Sequence, residues 1–145
     1  MKIDEIRPGV AVIVMDGNNR VLLQKRSDVG LWGIPSGHVE PGETVAEAAV
    51  REVREETNLH IRILKLIGVY SEPSSQVFVY PNGRTVHFVT TCFLADIVGG
   101  ELRCNSAESL DVAFFPVTDL PSGLLNMHPR WLEDALAHCE RAFIR

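Results

Sequence analysis

Apolar residues run unbroken from Val10 to Met15 (VAVIVM) and are rich in β-branched types, the mark of a buried strand. Asp16–Asn19 (DGNN) is a turn signal, and strand character resumes over Val21–Gln24. These two segments are expected to form a hairpin. Ser27–Pro35 holds Gly30, Gly33 and Pro35 and reads as a loop. Ser36–Glu43 (SGHVEPGE) reads as a second loop, with a short extended piece at His38–Glu40. The pattern then turns helical. Thr44 can cap the N-terminus, with Glu47 completing a capping box, and TVAEAAVREVREET is rich in good helix formers. Asn58, which tolerates the left-handed conformation, ends this helix. Further on, Ile61–Tyr70 is strand-like, and Val77–Tyr80 and Thr85–Ala95 flank Pro81–Gly83 as a hairpin. Glu101–Arg103 and Val112–Phe115 are short strand candidates. Arg130–Phe143 is expected to be a C-terminal helix, its apolar positions Trp131, Leu132, Ala135, Leu136 and Cys139 falling at helical spacing. Strands with two interspersed helices predict an α/β fold, a mixed sheet covered on both faces. No Pro/Gly/Ser-rich linker divides the chain, so residues 1–145 read as one domain.

The first helix has three faces rather than two. At about 100° per residue, Ala46, Ala49, Val50, Val53 and Thr57 share one arc, the core-facing stripe. Glu52, Glu55 and Glu56 share a second, adjacent arc, and Glu47, Arg51 and Arg54 fall on the solvated remainder. Like charges three and four residues apart repel by roughly 0.2–0.5 kcal/mol per pair. Either these acids are simply hydrated, or they await a cation. A hard cation such as Mg²⁺ takes a few carboxylates and completes its octahedron with water and phosphate oxygens.

Composition narrows the partners. The net charge of −5 disfavours nucleic-acid polymers and anionic membranes, but not a small phosphorylated substrate met through a metal. Three cysteines, Cys92, Cys104 and Cys139, make an odd count without CxxC spacing. The N-terminal MKIDEIRPGV lacks an apolar leader core, and no apolar run approaches a membrane span. Reduced thiols and a cytoplasmic location are expected.

The segment before the helix decides between the two readings of the acids. Gly37, Glu43, Arg51, Glu52, Val53, Glu55, Glu56, Asn58 and Leu59 fall on the spacing Gly-x5-Glu-x7-Arg-Glu-U-x-Glu-Glu-x-Gly-U, where U is bulky and aliphatic. This resembles the signature of the Nudix hydrolases, with Asn58 in place of the last glycine. Ser36-Gly37 also stands where many members have Gly-Gly. Flanking segments, LLQKRSDVGLWGIPSGHVEPGET before the helix and ESLDVAFFPVTDLP after it, are similar to the family as well.

The resemblance implies an α/β/α sandwich and a Mg²⁺-dependent pyrophosphohydrolase, with Mn²⁺ as a substitute metal. Its substrate would be a nucleoside diphosphate linked to another group, and its product a nucleoside monophosphate. Glu52 and Glu56 would be the principal metal ligands, with Glu55 sharing the site and the Gly37 carbonyl completing it. Glu43 and Arg51 would pair structurally. Glu108 would be a further ligand or the general base, in competition with Glu55, or else a plain loop acid. Arg26 would contact phosphate or lie on the surface. Trp32 would stack on a base or anchor its loop, and Asn126 would read a base edge or cap a turn. Pro73 lies near a proline of ADP-ribose-cleaving members, yet also suits a turn. ADP-ribose and a nucleoside triphosphate, normal or oxidised, are the leading substrates, and a homodimer is compatible with the sequence. The alternative is a catalytically silent nucleotide-binding module with the same fold.

Overall fold

The computed structural model describes residues 2–145. Its strands are β1 (Glu5–Val14), β2 (Arg20–Arg26), β3 (Trp32–Gly33), β4 (Ser36–His38), β5 (Leu59–Tyr70), β6 (Val77–Val79), β7 (Thr85–Gly100), β8 (Ser109–Pro116) and β9 (Phe143–Ile144). Its helices are α1 (Val45–Thr57), α2 (Pro73–Gln76) and α3 (Trp131–Leu136). The α/β expectation holds: a mixed sheet in the order β4-β1-β7-β5-β9, with β6 also on β7, lies between helices. β1 runs parallel to β7, β4 runs antiparallel to β1, and β5 runs antiparallel to β7 but parallel to β9. A smaller antiparallel sheet, β3-β2-β8, stands beside it.

Two cores lie on opposite faces of β1. Val10, Val12 and Val14 point to one face and meet Ala48, Ala49 and Val53 of α1. Ala11 and Ile13 point to the other and meet Ile67, Tyr70, Cys92 and Ala135 of α3. Burying a side chain the size of Val53 stabilises by roughly 1.5–3 kcal/mol, so α1 is held mainly by this stripe. Ala48 and Ala49 are the buried alanines, whereas Ala46, assigned to the core from its helical angle, is exposed.

Four expected elements differ. The hairpin of Val10–Met15 with Val21–Gln24 is not formed. A single bridge, Met15 to Val21, links the segments, and they then diverge into separate sheets. β2 places Leu22 in the first core and Val21 and Leu23 in the second, so both of its faces are satisfied without pairing to β1. The C-terminal helix stops at Leu136 rather than Phe143. His138 takes a left-handed φ of 49°, and the chain turns back as β9 beside Gly68 and Val69 of β5. Gly68 allows this approach, since a methyl group there would strike the Phe143 carbonyl. Glu101–Arg103 forms no strand. The extended piece expected at His38–Glu40 falls at Ser36–His38, where it pairs with Gly9–Ala11.

Among the described residues, no helix is long and apolar enough to cross a membrane. All three cysteines are free.

Candidate functional site

α1 begins as its sequence directs. The Thr44 hydroxyl accepts from the Glu47 backbone N–H, and the Glu47 carboxylate accepts from the Thr44 N–H. At the other end Asn58 sits left-handed at φ 64°, and its side-chain amide donates to the Glu101 carbonyl. Asparagine thus closes the helix where the Nudix pattern has glycine, and it ties down the next loop as well.

Arg51 does not lie on the solvated side but at the centre of a network. It donates through Nε and Nη2 to the two Glu43 oxygens at 2.7 and 2.9 Å. It also donates to Glu52 at 2.9 Å, to Glu55 at 3.3 Å and to the His38 carbonyl at 2.9 Å. The forked guanidinium suits this geometry, and the contacts clip the β4–α1 loop onto the helix. The Arg51 hydrogen bonds hold the Glu43 carboxyl down at about 2.

The acidic arc separates by depth. The Glu55 side chain is 57% exposed and leans on Arg51, whereas that of Glu52 is 13% exposed. Glu56 is 3% exposed, and its Oε2 has no hydrogen-bond partner among the described residues. Burial, then the neighbouring Glu52 charge, pushes the Glu56 carboxyl well up. Burial also raises Glu52, against the pull of Arg51. The Glu52 carboxylate lies against the Cα of Gly37, where any Cβ would overlap it. Any side chain at position 37 would therefore displace the Glu52 carboxylate from where Arg51 holds it.

These features fit a hard cation. Burial and the neighbouring Glu52 charge push Glu56 up, one of its oxygens is orphaned, and bare backbone stands opposite Glu52. Among the described residues, no three His, Cys, Asp or Glu side chains form a ready-made cage. A cation that fills most of its shell with water and phosphate does not need one.

The other expected residues are placed as follows. Glu108 is exposed at the start of β8, close enough for its charge to be felt at Glu56 and at His38. Arg26 forms a two-pronged pair with Asp28. Trp32 packs edge-on against Phe115 at 4.9 Å and lines the second core, which is the anchoring role. Asn126 donates to the Ser74 carbonyl, tying its loop to α2. Pro73 opens α2 at its first turn. Arg26, Trp32 and Asn126 thus each have a protein partner in this structure.

Sequence reasoning passed over Gln24 and Ser109. Gln24 is 4% exposed and Ser109 7%, and the Ser109 hydroxyl donates to Gln24 Oε1 at 2.7 Å. Gln24 shares the face of β2 with Leu22, toward α1, and its amide is felt at Glu56. The available signal was a polar residue at an inward-facing position after Val21–Leu23.

The NUDIX domain family model matches residues 5–139. The chain belongs to the NUDIX family. It is 38% identical over 120 residues to an ADP-ribose pyrophosphatase of Methanocaldococcus jannaschii, covering 80% of this chain and 66% of that one. It is 39% identical over 121 residues to a human 8-oxo-dGDP phosphatase, covering 79% of this chain and 33% of the human one. The chain thus spans from a third to about two thirds of the length of these relatives. Among solved structures, a NUDIX hydrolase from Nitrosomonas europaea superposes with a TM-score of 0.74 at 26% identity, covering 95% of this chain and 76% of that one.

Proposed function

We propose that this NUDIX domain is a Mg²⁺-dependent pyrophosphohydrolase that cleaves a nucleoside diphosphate linked to another group and releases a nucleoside monophosphate. The observation that carries this reading is the buried Glu52–Glu56 pair beside Gly37, with Glu56 Oε2 unsatisfied. Glu52, Glu56 and the Gly37 carbonyl would hold the cation. Mg²⁺ bound there supplies positive charge to the diphosphate and to the oxygen displaced from it. Glu55 and Glu108 are the exposed carboxylates near this pair, and one of them would take the proton from attacking water. Arg51 is engaged by three carboxylates and a carbonyl, so its part is to hold Glu52 and the β4–α1 loop in place.

The substrate class rests on relatives that bear two kinds of name, one for ADP-ribose and one for an oxidised nucleotide. Both share a nucleoside diphosphate unit. A cytoplasmic setting with reduced thiols accords with both. The test is a hydrolysis screen with Mg²⁺ over ADP-ribose, nucleotide sugars, dinucleoside polyphosphates, and normal and oxidised nucleoside triphosphates. Release of a nucleoside monophosphate from one class supports the reading. Tight nucleotide binding without turnover of any of them would instead make the domain a silent binding module.

A further inference from the structure

The left-handed backbone at Asn58 explains why asparagine is tolerated where the Nudix pattern has glycine. Its side chain does more. Asn58 Nδ2 donates to the Glu101 carbonyl at 2.9 Å, across 43 residues of sequence. Glycine has no group that could make this bond. Gly100, just before Glu101, has a φ of 86°, and a Cβ there would strike the Asn58 carbonyl. The end of β7 therefore lies directly on the end of α1, and the Asn58 amide catches the first residue beyond it.

From Glu101 the loop 101–108 runs back along the last turn of the helix. The Arg103 N–H donates to the Thr57 carbonyl at 3.0 Å, and the Asn105 N–H to the Glu56 carbonyl at 3.4 Å. Alternate loop residues 101, 103 and 105 are thus bonded to successive helix residues 58, 57 and 56. Carbonyls left open at a helix C-terminus are satisfied in this way, and the loop is registered on the residue that carries the deepest acid. The bonds from Arg103 and Asn105 are made by backbone groups. The bond from Asn58 is made by a side chain, so it is the one that sequence can give or take away. At its far end the loop is fastened again, because the Glu108 carbonyl accepts from the Ser27 N–H and hydroxyl. Glu108 is exposed on this loop and makes no ion pair among the described residues, whereas Glu55 leans on Arg51 at 3.3 Å.

We infer that Asn58 is a positioning residue: by registering the loop 101–108 on the last turn of α1, it holds Glu108 at the Glu56 end of the site, where Glu108 takes the proton from attacking water. The inference rests on the hydrolase reading and deepens it by giving that role to Glu108 rather than Glu55.

The test pairs a metal-free measurement with turnover. Amide hydrogen exchange, followed by nuclear magnetic resonance in a chelator, reads the loop. The kcat and KM on the best substrate of the hydrolysis screen read the consequence. In Asn58→Gly the Arg103 N–H should exchange about fivefold faster, while exchange inside α1 and the melting temperature stay close to wild type. The kcat should fall about tenfold with KM within about twofold, because the misplaced group acts in the chemical step. Glu108→Gln should lower kcat at least as far, and adding Asn58→Gly to it should lower kcat no further. Unchanged exchange at Arg103, or kcat within twofold of wild type in Asn58→Gly, would overturn the inference. So would a further drop of about tenfold in the double variant, since Asn58 would then act by a route other than Glu108. A wild type that turns over no member of the screen sinks the hydrolase reading and this role of Glu108 with it. Exchange at Arg103 still decides, separately, whether Asn58 registers the loop.

Discussion

Glu56 is the residue at which stability and proposed function oppose each other. A buried carboxylate with an orphaned oxygen costs folding free energy, on the order of 1–3 kcal/mol. Active sites commonly carry such a cost. Glu56→Gln keeps the shape and removes the charge. In a chelator that variant should therefore melt above the wild type. Adding Mg²⁺ should raise the wild-type melting temperature and leave the variant unmoved. Calorimetry on the two proteins checks both halves. Glu43 behaves in the opposite sense. Its hydrogen bonds from Arg51 hold its folded pKa at about 2, below the ordinary 4.5. A depressed carboxyl contributes stability that is complete above the unfolded pKa and fades as pH falls through the folded one. The melting-temperature gap between wild type and Glu43→Gln should be constant above pH 5 and should close between about pH 4.5 and pH 2. A gap that persists at pH 2 would mean that packing, not charge, links Glu43 to Arg51.

At the scale of elements, α1 is the part whose ends and faces were written most openly in the sequence. Its cap box and its left-handed stop are local and survive in the fold, and so does its apolar stripe apart from the exposed Ala46. Asn58 tests the stop. Alanine there must adopt φ near 64° without the side-chain bond to Glu101, and should cost about 1 kcal/mol. Glycine gains conformational ease as it loses that bond, and should lie within about 0.5 kcal/mol of wild type. Urea unfolding of the two variants measures this. Elements whose partners are distant were less legible. An apolar run such as Val10–Met15 announces a strand, but not which sheet its follower joins. The helical period after Arg130 could not reveal that His138 reverses the chain toward β5. Within the site, Glu52 and Glu56 were marked by spacing. The depth that separates them from Glu55, and the pairing of Gln24 with Ser109, came only with the packing of β2 and β8 on α1.

Across the whole molecule, the C-terminal strand is fastened by a buried ion pair. Asp134 is 2% exposed and accepts from Tyr70 Oη at 2.7 Å and from Arg145 Nη2 at 2.9 Å. Arg145 also lies over the Phe143 ring, 4.8 Å from its centroid. Removing one partner of such a pair leaves a buried charge behind. Arg145→Ala should destabilise by about 2 kcal/mol, less than a fully buried pair because Tyr70 still donates to Asp134. This staple lies on the face of the sheet away from α1, so Mn²⁺ affinity should not change. Chemical unfolding alongside a metal titration separates the two effects.

The claim that joins these scales is that the Glu52–Glu56 pair exists to hold a divalent cation for cleavage of a nucleoside diphosphate linkage. Its most direct measurement is nucleoside monophosphate release from the best substrate of the screen, by wild type and Glu56→Gln, as Mg²⁺ is titrated. The account predicts saturable Mg²⁺ dependence in the wild type and a loss of turnover by roughly two orders of magnitude or more in the variant, with its fold intact. Turnover without Mg²⁺, or full turnover by Glu56→Gln, would contradict it.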